Sequence, residues 1–183
     1  EGVHNRSDYD LSRHMQFSGK DLQYIDQDNG NERYTPYIIE TSAGLTREVL
    51  MILCDAYDEE KVADKGTDDD WRTVLRFHPT VAPITVAVLP LMKKDGLAEL
   101  AQDIRQELKA DWTTDYDQSG AIGRRYRRQD EAGTPFCVTV DYQSKEDNTV
   151  TLRFRDSMEQ VRVPRAELAD RIRKEIREYK RIK

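Results

Sequence analysis

Two short stretches carry side chains able to do chemistry. The first is Gly123-Arg-Arg-Tyr-Arg-Arg128, in which Arg124, Arg125, Arg127 and Arg128 flank Tyr126. Guanidinium groups beside an aromatic ring suit an anionic partner with flat groups, and RNA is the first candidate. The same pattern also fits a solvated helix face whose arginines pair with Asp130 and Glu131. On a helix, 124, 127 and 128 share a face while 125 and 126 turn away, so a subset is expected to reach RNA and the rest to pair internally. The second stretch is Glu40-Thr-Ser-Ala-Gly-Leu-Thr-Arg47. Arg47 falls in the first turn of an expected helix, where free N–H groups and the dipole favour phosphate. An exposed surface arginine is the plainer reading. His78, between Phe77 and Pro79, has no nucleophile or carboxylate placed beside it and reads as a linker residue.

The rest of the chain must position these stretches. It has 183 residues, with 35% charged, 37% hydrophobic and a net charge of −6. Such an acidic body excludes whole-surface nucleic-acid binding and leaves room only for a local basic patch. No apolar run reaches membrane-spanning length and no secretory leader is evident, so a cytoplasmic protein is expected. Cys54 and Cys137 lie in apolar contexts without metal-ligand spacing and read as reduced core residues. No protein-only metal site is expected. The start at Glu1 without a methionine, inside a segment that reads as structured, suggests a fragment.

Asn29-Gly30 marks a turn between strands at 22–25 and 34–40. Leu45, Val49, Ile52, Leu53 and Ala56 make one helical stripe. Residues 57–71 read as an acidic loop, and 72–78 as a strand. A linker with two prolines follows, and the chain divides near residue 80 into parts 1–80 and 81–183. Beyond it, Ile84–Leu91 is a continuous apolar run, as for a strand buried on both faces. Leu97, Leu100, Ala101, Ile104 and Leu108 mark a helix, and residues 112–116 a short strand. A helix over the arginines then leads to a strand over 136–142. That strand is expected to pair with 149–155 across a turn at 145–148. A strand at 158–163 precedes a terminal helix opened by Pro164. The second part is therefore an α/β sandwich, a mixed sheet with flanking helices.

Ser119–Asp141, read S-G-x-I-G-R-R-Y-R-R-Q-D-E-x-G-T-P-F-C-V-T-V-D, resembles the anticodon-binding domain of the dimeric class II glycyl-tRNA synthetases, as do Val86–Leu91 and Asp156–Pro164. Glu1–Leu11 and Ser18–Leu22 are similar to the end of that family's catalytic domain, Tyr37–Arg47 to its motif 3, and Leu53–Glu60 continues the match. The resemblance covers essentially the whole chain. The family's E-P-S-A-G-x-D-R reads Glu40-Thr-Ser-Ala-Gly-Leu-Thr-Arg47 here, without the proline and the aspartate, and motifs 1 and 2 are not among these residues.

The resemblance implies a partial antiparallel-sheet catalytic region followed by the anticodon-binding domain. It implies a parent ligase that activates glycine with ATP and Mg2+ and charges tRNA-Gly as a homodimer, this piece alone being inactive. Arg47 would clamp the distal phosphates, and Glu40 would meet the glycine ammonium or Mg2+. Thr41, Ser42, Ala43, Gly44, Leu45 and Thr46 would line the ATP pocket, with Arg6 near the reacting centre. Arg124, Arg125, Tyr126, Arg127 and Arg128 would meet the anticodon. A non-enzymatic nucleic-acid-binding module reusing the same domain, like a polymerase accessory subunit, is the alternative. The joint presence of Glu40, Ser42, Gly44 and Arg47 weighs against it.

Overall fold

The structure is a computed structural model that describes residues 1–62 and 71–180. Its contacts gather into two compact units, Glu1–Met51 and Ile52–Lys183. The described residues of 52–62 and 71–80 fall in the second unit, whereas the sequence suggested a division near residue 80.

In the first unit, β1 (Gly2–Asn5) pairs antiparallel with β4 (Ile39–Ser42), with His4 opposite Glu40 and Gly2 opposite Ser42. Helix α1 (Tyr9–Ser18) follows β1. The Asn29-Gly30 turn forms, with Gly30 and Asn31 both at positive φ. Its hairpin is short: β2 (Tyr24–Asp26) pairs with β3 (Glu32–Tyr34), and the expected long second strand divides between β3 and β4. Pro36 explains the break, since it offers no N–H to a ladder. Helix α2 (Leu45–Ala56), which begins in this unit and ends in the second, forms as its stripe predicts. That stripe is largely uncovered, with Leu45 78% and Val49 49% exposed. Cys54, on the same helix, is exposed rather than a core residue.

In the second unit, strand β5 (Tyr57–Lys61) pairs antiparallel with β6 (Trp71–Leu75), where the sequence suggested a loop before residue 72. The remainder of that expected loop, 63–70, lies outside the described residues. A five-stranded mixed sheet follows in the order β11-β10-β9-β7-β8. Its strands are β7 (Val86–Pro90), β8 (Thr114–Tyr116), β9 (Phe136–Val140), β10 (Thr149–Phe154) and β11 (Gln160–Pro164). The centre, β7, runs parallel to β8 and β9, while β10 is antiparallel to β9 and β11.

Every residue of β7 and β9 is buried, as continuous apolar runs require of strands covered on both faces. Alternation sorts the side chains. Val86, Val88 and Val138 face a core built with Leu97, Ala101 and Ile104 of α3 (Leu97–Leu108) and with Leu168 and Ile172 of α6 (Leu168–Arg177). Ala87, Leu89 and Cys137 face the other way, onto Ile122 and Tyr126 of α4 (Ile122–Ala132). Each such fully buried Leu or Ile contributes about 2 kcal/mol by leaving water.

The connection after β9 is a short helix, α5 (Tyr142–Asp147), not a simple turn. Asp141 caps it, accepting from the Ser144 N–H at 3.0 Å, while the Ser144 hydroxyl accepts from the Asp141 N–H at 3.0 Å. Pro164 closes β11 at φ −58°, ψ 136°, and a 3-10 turn over Arg165–Glu167 separates it from α6. Proline suits the end of a strand as well as the start of a helix. The ring of His78 meets that of Tyr179 edge-on at 5.0 Å, and its Nδ1 lies 2.8 Å from the Thr80 hydroxyl.

Candidate functional site

The two stretches differ in how they are held. Glu40, Thr41 and Ser42 lie on β4, and Ala43 and Gly44 lead into α2, whose first turn carries Leu45, Thr46 and Arg47. From Thr41 to Arg47 every residue is exposed. The first amides of a helix have no intrahelical acceptor, so this corner offers N–H groups and a guanidinium together. The Arg47 stem lies over Gly44, its Cδ 3.8 Å from where a Cβ on that glycine would stand.

Arg6, just past β1, bonds Asp10 through Nε at 2.6 Å and Nη2 at 2.9 Å, and its Nη1 lies 3.1 Å from Glu40. The hydrogen bond from Arg6 holds the Asp10 carboxyl below the usual carboxylate range, and the same bond raises the Arg6 guanidinium. Glu40 is thus half-committed to a cation inside the molecule. The corner can bind an anion at Arg47 and a cation or ammonium at Glu40 in competition with Arg6. Among the described residues no cluster of three His, Cys, Asp or Glu side chains could hold a metal ion.

The α4 stretch is mounted on a rigid base. Gly120, at φ 81°, turns the chain into the helix, and Gly133, at φ 77°, ends it. Gly133 has no substitute, because a Cβ there would stand 2.3 Å from Phe77 Cδ2 and 2.8 Å from the Leu75 carbonyl. Asp130 is fully buried beneath the helix and accepts from Arg153 at 2.7 and 2.9 Å and from Arg72 at 3.1 Å. Arg72, itself buried, also donates to the Arg155 carbonyl at 2.8 Å and pairs with Glu60. Arg76 reaches Asp58 at 2.8 Å, Glu60 at 2.7 Å and Asp156 at 3.3 Å. Arg155 bonds the Gly133 carbonyl at 2.8 Å and the Phe77 carbonyl at 2.9 Å. A buried charge network of this kind ties β5, β6, α4 and β10 together. Sequence reasoning missed it. The available signal was Arg153 and Arg155 two apart on one strand, on the face opposite Val150 and Leu152.

This base decides which candidate side chains remain at the surface. Arg125 is buried and its guanidinium is spent on carbonyls, with Nη1 2.6 Å from Pro90 O and 3.1 Å from Asp117 O, and Nη2 3.2 Å from Leu91 O. Tyr126 is half-buried, with its hydroxyl 2.6 Å from Thr139 Oγ1 and the Arg153 guanidinium 4.8 Å from its ring centre. Burial raises its phenol. Both side chains therefore have internal partners. Arg128 is exposed but anchored, donating to Asp117 through Nε at 3.0 Å and to the Ser119 carbonyl at 2.6 Å. Burial works to raise the Asp117 carboxyl, but the Ser119 N–H and Arg128 together hold it below the usual range. Arg127 is half-buried, with Nη1 3.8 Å from Asp130. Arg124 is exposed at the start of the helix. Of the four arginines, Arg124 and Arg128 are exposed, Arg127 is half-buried and Arg125 is buried, so the face expected to carry 124, 127 and 128 is not uniformly exposed.

Residues 85–175 match the family model described as "Anticodon binding domain". The Glycine--tRNA ligase of Treponema denticola is 82% identical over 181 residues, which is 99% of this chain and 40% of that protein. That of Treponema pallidum (strain Nichols) is 58% identical over 99% of this chain and 44% of that protein. That of Corynebacterium glutamicum is 56% identical over 92% of this chain and 36% of that protein. The chain thus spans about two fifths of the length of these relatives. Residues 85–175 thus match an anticodon binding domain, and nearly the whole chain is similar, at up to 82% identity, to one part of the glycine--tRNA ligases.

Proposed function

We propose that this chain serves a ligase that joins glycine to tRNA-Gly at the expense of ATP, residues 81–183 recognising the tRNA and residues 1–80 supplying one edge of the catalytic site. The outer face of α4 carries the reading. It presents Arg124 and Arg128 at the surface of an acidic protein, on a helix whose underside is locked by buried ion pairs. Unstacked loop bases can be hydrogen-bonded and stacked on guanidinium planes. Arg127 completes the face, while Arg125 and Tyr126 hold it from beneath.

At the other stretch, Arg47 and the first amides of α2 fit the distal phosphates of ATP. ATP with its magnesium supplies the activated phosphoryl centre at which the glycine carboxylate reacts. Glu40 fits the glycine ammonium, with Arg6 shared between Glu40 and Asp10 so that a bound cation displaces one contact. For Mg2+, Glu40 is a single carboxylate ligand, so the ion fits as one held mainly by ATP phosphates and water. Thr41, Ser42, Ala43, Gly44, Leu45 and Thr46 form the exposed wall along which the nucleotide lies. The whole ligase works as a homodimer in the cytoplasm. Among the described residues no helix is long and apolar enough to cross a membrane.

The test is the variant R124A/R127A/R128A, read by fluorescence anisotropy with tRNA-Gly over a salt series. Loss of two to three phosphate or base contacts is expected to weaken binding by at least about tenfold and to flatten the salt dependence. Binding equal to that of the parent chain, with unchanged salt dependence, overturns the reading.

A further inference from the structure

A cavity of about 300 Å³ opens in the second unit where β9 begins and β10 ends, between the turn after β10 and the last turns of α6. It has room for about ten waters and falls at the lower end of the size range of ligand pockets. Its floor is aromatic. Phe136 opposes Phe154 across the two strands, and their rings meet edge to face, 6.1 Å apart at 79°. Phe136 is buried, whereas Phe154 is half-buried. The guanidinium of Arg171 already lies 5.9 Å over the Phe154 ring, held by Glu175 at 2.6 Å, so this floor accepts a flat cation within the molecule itself.

The charges that line the cavity separate into spent and unspent. Arg155 is buried and donates to the Gly133 and Phe77 carbonyls and to Asp156. Asp156 in turn accepts from the Tyr179 hydroxyl at 2.8 Å and pairs with Arg76 at 3.3 Å. Arg171 and Glu175 satisfy each other. What remains at the rim, among the described residues, is Glu159, Glu178 and Lys180, all exposed and with no ion pair or hydrogen bond on their charged groups. Carboxylates therefore outnumber the ammonium, and α6 ends at the same rim with the negative end of its dipole. The backbone fixes Glu159 in place. Met158 before it sits at φ 59°, uncommon for a residue with a side chain, and the Glu159 carbonyl accepts from the Phe154 N–H at 3.0 Å.

We propose that this cavity is a binding site for a flat organic cation on an aromatic body, the body resting on Phe154 and Phe136 and the charge taken by Glu159 and Glu178. Aromatic rings and carboxylates together favour an amidinium or guanidinium over a neutral group, and the same carboxylates repel a phosphate. The site goes beyond the tRNA reading and does not depend on it. Every residue that lines it lies between 135 and 180, and none is an arginine of α4.

The probes are benzamidine, benzamide and benzoate, which share nearly one shape and carry a positive, a zero and a negative charge. Each is titrated into the 183-residue chain and followed by NMR of the backbone amides. Benzamidine is expected to saturate with a Kd of about 1 mM, shifting the amides of Phe154, Ser157, Glu159 and Lys180, and the other two to bind at least about tenfold more weakly. Neither rim carboxylate has an internal partner, so E159Q/E178Q keeps the fold, and it is expected to weaken benzamidine about tenfold. K180Q is expected to leave benzamidine binding unchanged or tighter. Benzoate binding as well as benzamidine would mean that Lys180 governs the cavity, and equal binding of all the probes that the rings alone do. Either result overturns the site. So does benzamidine binding that E159Q/E178Q leaves unchanged, or shifts confined to residues outside the lining, or no saturation below about 10 mM.

Discussion

The two compact units bury their side chains very differently. In Glu1–Met51 the local rules all operate: α1 ends on a left-handed Gly19, the Asn29-Gly30 turn closes a hairpin, and β1 finds β4. No residue of α1 is buried, and Phe17, Tyr37 and Ile39 are 75%, 65% and 60% exposed. In Ile52–Lys183 two helices cover one face of a five-stranded sheet and α4 covers the other, and the strands between them are sealed. Turns and periodicity are enough to form elements. A core needs a second layer, and the buried ion pairs of the larger unit are possible because that layer excludes water.

The comparison can be broken at its deepest point first. Asp130 is the fully buried carboxylate that answers Arg153 and Arg72, so D130A strips the interior Arg153 guanidinium of this counter-charge and leaves Arg72 with Glu60 alone. A loss of about 3–5 kcal/mol in urea unfolding is expected. A loss below about 1 kcal/mol would mean that the network is solvated and that the larger unit is not sealed as described.

A finer contrast comes from one glycine in each unit. G133A combines a left-handed backbone with a clash against Phe77 and the Leu75 carbonyl, and is expected to cost about 2–4 kcal/mol. G30A has the same backbone problem, at φ +64°, but nothing within 4 Å, and is expected to cost about 1 kcal/mol. Equal effects in thermal unfolding would show that backbone strain, not the closeness of the second layer, governs Gly133.

Acid gives the smallest and most selective effect. The bonds from Arg162 hold the Asp141 carboxyl below the usual carboxylate range. A depressed carboxyl contributes stability that is full above its unfolded pKa of about 3.9 and is lost as pH falls through the folded value. D141N should therefore remove under about 1 kcal/mol of the stability at neutral pH and flatten the decline below about pH 4. An unchanged acid limb would show that Asp141 caps α5 without its charge.

Much of this was legible beforehand. The apolar runs of β7 and β9 and the stripes of α2 and α3 name their elements, because burial on two faces and burial on one leave different patterns. The stretch 57–61 was not legible as a strand. Its alternation is one of charge, with Asp58 and Glu60 turned to Arg76 and Arg72, and an acidic run reads as a loop until its counter-charges are found far along the chain. The same distance effect hid the role of Arg125. One position in four arginines looks like its neighbours, and only the carbonyls of 90, 91 and 117 single it out. The outer placement of 124 and 128 follows from helical spacing, whereas the partners of Arg128 follow from a loop that spacing does not describe. At the other stretch, the sequence named Arg47 and Glu40 separately but gave no sign that Arg6 would stand between Asp10 and Glu40.

Anyone wishing to transplant the anticodon domain would naturally cut near residue 85, where the family match begins. The buried arginines argue for a different seam. A graft starting there carries Asp130, Arg155 and Asp156 but leaves behind Arg72, Arg76 and the strand pair that delivers them. The heritable module, in the sense of the shortest stretch that can move between proteins with its interior intact, reaches back to about Asp58.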